Sequence, residues 1–191
     1  ANCQRYAALP YAYQFLLGEL YRMDTDQADQ LALDLIRRRW AKMAEAETGT
    51  VWEGFGPSEN CHEAGSVPAY FLSAYVLGVR VDGPVSNKRI LVEPRLADLA
   101  RASGVVVTEF GPVPVSWQRP NGGKELKFEL TVPEGVTARV SLPTRGADPS
   151  LTVDGRPLKP GQDQAGLAPK RSGRHITFRL RTGKHTGSLA D

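Results

Sequence analysis

The sequence predicts an α+β fold in which a helical segment is followed by an antiparallel β-sandwich. The hydrophobic period is helical as far as Gly78 and becomes two from about residue 80. Only 3 of the 14 prolines lie before residue 80. The net charge changes there as well, from −4 over residues 1–79 (6 Lys/Arg, 10 Asp/Glu) to +7 over residues 80–191 (18 Lys/Arg, 11 Asp/Glu). We therefore expect two domains, 1–79 and 80–191.

Three helices are predicted before residue 80. The stretch "NCQRYAALPYAYQFLLGELYRM" is apolar on nearly every side, which predicts a buried helix that Pro10 kinks or interrupts early. In "DTDQ", Asp24 and Gln27 have capping-box spacing, so a second helix follows and forms an antiparallel hairpin with the first. Because Pro68 is tolerated only in a first turn, a third helix should begin near residue 66 or 67, bury a stripe that includes Tyr70, and end at Gly78. The stripe predicted for the first helix is Tyr6, Leu9, Tyr13, Leu16, Leu17 and Leu20.

About seven short strands are predicted after residue 80. They are "KRILVEP", "GVVVTEF", "VPVSWQR", "KELKFELTVP", "TARVSLP", "LTVDG" and "RHITFRLR", and Pro, Gly and Asn separate them. Asp154-Gly155 predicts a hairpin turn, whereas residues 157–174 have the composition of a loop. Such a series of strands is typical of a β-sandwich.

Composition excludes several classes of function. The sequence contains no run of 18 apolar residues, so no membrane span is predicted. The N-terminal residues lack the pattern of a signal peptide, and the sequence does not indicate a cellular compartment. Two cysteines, Cys3 and Cys61, are too few for a disulfide framework or a four-thiolate zinc site, and we expect both thiols to be buried or half-buried. Basic residues alternate with apolar ones, as on a solvated strand face, so no nucleic-acid partner is expected.

The segment "TGTVWEGFGPSENCHEAGS", residues 48–66, is long for a loop in a compact domain and carries a tryptophan, several carboxylates and a histidine. Loops longer than about 12–15 residues are usually functional or disordered. Disorder is not expected because Val51, Trp52 and Phe55 favour burial. Indole rings stack on sugar faces and carboxylates bond sugar hydroxyls, so the segment is a candidate sugar pocket.

Several motifs occur here in an order that resembles a known family. They are "LALDLIRRRWAKMAEAETGTVWEGF", "CHEAGSVPAYFLSAYVLGVR", "RILVEPRLADLARASGVVVTEFGPVPVSW" and "LTVPEGVTARVSLP". Over residues 10–143 the chain resembles the C-terminal third of bacterial α-L-rhamnosidases, glycoside hydrolase family 78. The resemblance implies the last three or so helices of an (α/α)6 barrel followed by a β-sandwich, as part of a longer enzyme.

The resemblance also implies a reaction. Family members hydrolyse terminal α-L-rhamnose from glycosides with inversion, using two carboxyl groups and neither metal nor cofactor. The family's Trp-Glu dipeptide matches Trp52-Glu53, so Glu53 is the predicted general base. The general acid lies upstream of this chain, which implies that the isolated chain is inactive. The sequence departs from the family pattern at Gly49-Thr50, where many relatives have Thr-Thr, and at "GFGPSEN".

Each predicted role has an alternative. Glu53 is either the base or a loop carboxylate that caps a backbone amide. Trp52 is either a sugar platform or a core residue, and His62 bonds either a sugar hydroxyl or a backbone carbonyl. Glu59 and Glu63 are weaker candidates, the latter because Asn60 to Glu63 has capping-box spacing. The spacing of His62 with the two glutamates matches no metal-ligand pattern.

Two other functions compete with a hydrolase portion. A non-catalytic carbohydrate-binding module would need exposed aromatics on the sandwich, but Phe110, Trp117, Phe128 and Phe178 mostly occupy inward positions. A stable but inactive piece is the other alternative. It would cover its exposed apolar helices by forming a homodimer or by packing on a missing N-terminal barrel portion.

Overall fold

The computed structural model describes residues 9–56, 61–120, 123–164 and 166–191. The chain divides into two compact units, a helical one ending at Leu72 and a β-rich one from Ser73 to Asp191. The predicted order of helices followed by a β-sandwich is therefore confirmed.

Among its described residues, the helical unit contains three α-helices. They are α1 (Pro10–Arg22), α2 (Asp26–Glu45) and α3 (Val67–Phe71), with a 3-10 turn at Glu63–Ser66 before α3 and a π-helical turn at Leu72–Val76 after it. Within the described residues, no helix has the length and apolar character needed to cross a membrane.

Helix α1 begins at Pro10, which occupies its first turn, so the predicted early break is the start of the helix. The prediction that it is buried on more than one side is wrong. Tyr13, Leu17 and Leu20 are buried, but Leu9 and Leu16 are exposed. The cause is that α1 packs through one stripe only. Tyr6 lies outside the described residues.

Helix α2 is capped one residue later than predicted. The Thr25 hydroxyl accepts a hydrogen bond from the Ala28 amide at 3.2 Å, whereas Asp24 adopts a positive φ of 51° outside the helix. Thr25 is therefore the N-cap, and the predicted role of Asp24 is wrong. Tyr13 of α1 packs against Trp40, near the far end of α2, with ring centroids 5.4 Å apart. This contact confirms that the two helices run antiparallel.

Helix α3 starts at Val67, as Pro68 predicted. Phe71 and Ala74 are buried, but Tyr70 is exposed, so its predicted burial is wrong. The α-helix ends at Phe71 and continues as a π-helical turn over Leu72–Val76, so the predicted α-helix does not run on to Gly78.

The residues that the structure describes in the second unit form eleven strands. They are β1 (Val79–Val81), β2 (Arg89–Val92), β3 (Arg101–Thr108), β4 (Gly111–Gln118), β5 (Glu125–Val132), β6 (Thr137–Pro143), β7 (Ser150–Val153), β8 (Arg156–Leu158), β9 (Lys170–Ser172), β10 (His175–Leu180) and β11 (Gly183–Ala190). All seven predicted segments contain a strand.

The strands form two sheets. One has the order β1-β2-β6-β10-β9 and the other β3-β4-β5-β11-β7-β8. All pairs are antiparallel except β2 with β6. The sheets share a core, in which the Phe128 and Phe178 rings lie 6.0 Å apart. Trp117, Phe128 and Phe178 are buried, so these aromatics are not a sugar-binding surface.

Strand β11 was not predicted, although it lies inside the six-stranded sheet between β5 and β7. Its sequence, "GKHTGSLA", contains two glycines and few apolar residues, so no period-two pattern marks it. Gly187 is required there, because a Cβ would lie 2.5 Å from the Phe128 ring and 2.6 Å from the Thr152 carbonyl oxygen. Close packing therefore requires a glycine at this position, and the alternation of apolar and polar residues on which strand prediction depends is absent.

We expect Arg119→Gln to lower the free energy of unfolding by about 2 kcal/mol, since charged hydrogen bonds contribute about 1.5–3 kcal/mol. The Arg119 guanidinium donates to the carbonyls of Leu99 (2.7 and 2.9 Å) and Ala97 (2.9 Å). Urea unfolding would measure the change. Arg101→Gln is the matched control, because Arg101 is exposed at the start of β3. Equal unfolding midpoints for the two variants would contradict the prediction that the hydrogen bonds of Arg119 stabilise the fold.

Candidate functional site

The segment that follows α2 is anchored at both ends in the helical unit. The His62 amide donates to the Val51 carbonyl at 3.0 Å, and this hydrogen bond joins the first part of the segment to its last part. Gly65 lies directly on Trp52, where a Cβ would be 2.6 Å from the Trp52 carbonyl oxygen. The Trp40 indole N–H donates to the Gly65 carbonyl at 2.7 Å. The described parts of the segment, residues 48–56 and 61–66, are therefore held against α2.

A third anchor is an aromatic cluster of Tyr13, Trp40 and Phe55. The Phe55 ring centroid lies 5.5 Å from that of Tyr13 and 5.1 Å from that of Trp40, and both pairs are edge-to-face. Such pairs are each worth about 0.5–1.5 kcal/mol beyond the apolar area they bury. Phe55 thus ties the loop to both α1 and α2, two residues beyond Glu53.

Arg39 lies beside this cluster, and the sequence interpretation did not single it out. Its guanidinium carbon is 5.8 Å from the Tyr13 ring centroid and 5.7 Å from that of Phe55. The neighbouring Arg37 and Arg38 both pair with Asp34. In the sequence the three arginines are consecutive and look equivalent. Only the folded structure shows that Arg39 contacts aromatic rings while the other two pair with Asp34.

Glu53 lies between the Trp52 and Phe55 anchors, at a bend in the backbone, and its side chain is half-buried. Within the described part of the chain, it forms no hydrogen bond or ion pair. The alternative role of capping a backbone amide is therefore not seen. The carboxylate oxygens keep their capacity to accept hydrogen bonds from water or a ligand.

Trp52 is only 7% exposed, so little of its ring is open to a sugar. Its indole N–H is buried and has no acceptor among the described residues. This burial favours the alternative that Trp52 is a core residue. A buried N–H without an acceptor is energetically costly, and this one lies in the residue next to Glu53. The role of Trp52 as a sugar platform stays a prediction.

His62 caps the 3-10 turn that leads into α3. Its Nδ1 accepts a hydrogen bond from the Ala64 amide at 3.1 Å and lies 3.7 Å from a Glu63 carboxylate oxygen. In the neutral ring Nε2 then carries the proton and can donate to an acceptor. The structure thus gives His62 a loop-locking contact, and a contact with sugar remains a prediction. The Glu63 side chain is 91% exposed.

Two predicted contributors, Glu59 and Asn60, lie outside the described residues. Cys61 is exposed and not in a disulfide, so the expectation of a buried or half-buried thiol is wrong there, and Cys3 lies outside the described residues. Within the described ranges, no three His, Cys, Asp or Glu side chains are grouped as a metal site would need.

Comparison with known proteins gave one family match. Residues 78–154 match the family described as the bacterial alpha-L-rhamnosidase C-terminal domain. A sequence comparison with curated proteins gave no match.

Two solved structures share the fold. The alpha-L-rhamnosidase from Dictyoglumus thermophilum is similar with a TM-score of 0.64 and 17% identity, over 87% of this chain and 21% of that one. The Streptomyces avermitilis alpha-L-rhamnosidase, complexed with L-rhamnose, gives 0.66 and 19% over 83% of this chain and 16% of that one. This chain therefore spans about a fifth of the length of these proteins.

Proposed function

We propose that the chain is the C-terminal portion of an α-L-rhamnosidase-type glycoside hydrolase, because residues 78–154 match the bacterial alpha-L-rhamnosidase C-terminal domain and two alpha-L-rhamnosidase structures share its fold. The longer enzyme hydrolyses terminal α-L-rhamnose from rhamnose-containing glycosides with inversion. Glu53 is its general base, with Trp52 and His62 beside the substrate. The general acid lies in a part of the enzyme outside this chain.

The observation that carries the proposal is the position of Glu53. Its half-buried carboxylate lies between two anchored aromatics and has no protein partner within the described ranges. A general base must hold a water molecule, so at least one of its carboxylate oxygens must be able to accept a hydrogen bond from that water. Inverting enzymes also need about 6.5–9.5 Å between the base and the acid to accommodate that water. An acid contributed by another part of the enzyme would have to lie at this distance from Glu53.

Exposed apolar side chains support a missing neighbour for the helical unit. Leu9, Tyr11, Phe15 and Leu16 are between 44% and 63% exposed, and all lie on or beside α1. Large exposed apolar patches are typical of surfaces that another segment or subunit covers. In the longer enzyme, further barrel helices cover these side chains.

A homodimer of the isolated chain is the second candidate that these exposed side chains favour. Analytical ultracentrifugation over a range of concentrations separates the two: a monomer that does not associate would contradict the homodimer.

Hydrolysis of p-nitrophenyl α-L-rhamnoside tests the proposed function. We expect no turnover by the 191-residue chain, and turnover by the longer enzyme that contains it. Proton NMR of the first product should show the β-anomer of rhamnose, because inversion changes the configuration at the anomeric carbon. Robust turnover by the isolated chain would disprove the incomplete site. A longer enzyme that releases α-rhamnose first would disprove inversion.

A further inference from the structure

An arginine-lined depression lies on the outer face of the five-stranded sheet, within the β-rich unit. It has a volume of about 280 Å³ and is lined by Asp82, Arg89, Thr137, Arg139 and Arg179. This volume is close to the lower end of small-molecule pockets, about 300 Å³. The depression therefore has room for a group the size of a single sugar unit.

The side chains that line the depression carry more positive than negative charge. Arg139 forms a two-pronged ion pair with Asp82, with Nε–Oδ2 at 3.1 Å and Nη2–Oδ1 at 3.2 Å. The hydrogen bond from Arg139, together with the nearby charge of Arg89, holds the pKa of Asp82 below its ordinary value. Asp82 is therefore ionised at neutral pH. Three guanidinium groups and one carboxylate leave the lining with a net charge of +2.

The strand register brings the arginines together. Arg139 on β6 lies directly opposite Arg179 on β10, and Arg89 on β2 lies opposite Thr137, two residues from Arg139. Like charges directly opposite on a sheet are destabilising. Within the described residues, neither Arg89 nor Arg179 forms an ion pair with a carboxylate. A bound anion would relieve this repulsion.

We propose that the arginine-lined depression binds the carboxylate or sulfate-ester group of an acidic glycan. A guanidinium matches either group with two parallel hydrogen bonds, and the Thr137 hydroxyl is suited to a sugar hydroxyl. The choice of a glycan among anionic ligands rests on the proposed function. Single-stranded nucleic acid is disfavoured because such sites stack bases on aromatic side chains, and none of the five lining residues is aromatic.

Isothermal titration calorimetry on the 191-residue chain tests the proposal. The probes are trigalacturonate, a sulfated trisaccharide and neutral maltotriose, at one fixed ionic strength. We expect one or both acidic sugars to bind and maltotriose not to bind. Because a charged hydrogen bond contributes about 1.5–3 kcal/mol, Arg179→Gln and Arg89→Gln should each weaken binding about tenfold or more. Arg156→Gln, on exposed β8 in the other sheet, is the matched control and should leave the affinity unchanged.

Several outcomes would overturn the proposal. One is that neither acidic sugar binds, and another is that both bind equally well to the Arg89 and Arg179 variants. Binding of inorganic sulfate but of neither sugar would show a small-anion site only. A DNA oligonucleotide that binds with the same arginine dependence would overturn the glycan assignment. None of these measurements requires hydrolysis, so failure here is distinct from failure of the proposed function.

Discussion

Glu53→Gln in the longer enzyme is expected to lower kcat for p-nitrophenyl α-L-rhamnoside by a factor of about 10²–10⁴, the usual contribution of general acid–base catalysis. Glutamine has nearly the same shape as glutamate but cannot accept a proton from water at neutral pH. Because the anchors at Trp52 and Phe55 do not depend on the carboxylate charge, the loop should keep its structure. KM should therefore change much less than kcat.

Glu63→Gln is the matched control for Glu53→Gln. Glu63 is the same residue type near the other end of the loop, and its side chain is 91% exposed. We expect its kcat to stay within about twofold of the parent enzyme, because an exposed side chain of this kind is not positioned as a general base, and surface substitutions rarely disturb the fold. Near-normal kcat in the Glu53 variant, or an equal loss in both variants, would exclude Glu53 as the base.

The β-sandwich was predictable because local pattern and burial agree along most of its strands. In β5 the apolar residues that alternate with polar ones in the sequence, Leu126, Phe128, Leu130 and Val132, are all buried. At Asp154-Gly155 both residues have positive φ, 50° and 75°, as the predicted hairpin turn requires. The pattern failed at β11, where packing demands Gly187, and at the three-residue strands β1 and β9, which are too short to show a period of two. β9 lies within residues 157–174, so the prediction that this whole stretch is a loop is wrong.

The helical unit was less predictable, because an apolar residue on a helix does not reveal which neighbour covers it. Leu16 and Tyr70 fit helical stripes, yet both are exposed in this chain. Their exposure agrees with the proposal that further helices belong on this unit. The sequence therefore specified apolar faces correctly but could not specify what packs on them.

The candidate site was predictable as a segment but not in its contacts. The residue types of the loop indicated that it is ordered and suited to a sugar, and the folded loop is indeed held by Trp52, Phe55 and Gly65. Arg39 contacts Tyr13, 26 positions before it, and Phe55, 16 positions after it. Contacts at such separations leave no local spacing pattern in the sequence. The cap formed by His62 Nδ1 likewise depends on backbone geometry.

Gly78→Ala is expected to lower the free energy of unfolding by about 3 kcal/mol or more, through backbone strain and steric overlap together. Gly78 precedes β1 and has a φ of +87°, which L side chains rarely adopt. An added Cβ would lie 2.4 Å from the Glu93 carbonyl carbon and from the Pro94 nitrogen. These are backbone atoms of a segment whose Glu93 amide also donates to the Gly78 carbonyl at 2.8 Å, so they cannot move away without breaking the pairing of β1 with β2.

Gly83→Ala separates the two contributions. Gly83 has nearly the same φ, +84°, but the atoms nearest an added Cβ are side-chain nitrogens of Arg89 and Asn87 at 3.5 and 3.6 Å. Its substitution should therefore cost only the strain of a left-handed residue, about 1–2 kcal/mol. Urea unfolding of the two variants measures the difference directly. If both lose the same free energy of unfolding, overlap with the Glu93–Pro94 backbone contributes nothing, and Gly78 is required for its backbone conformation alone.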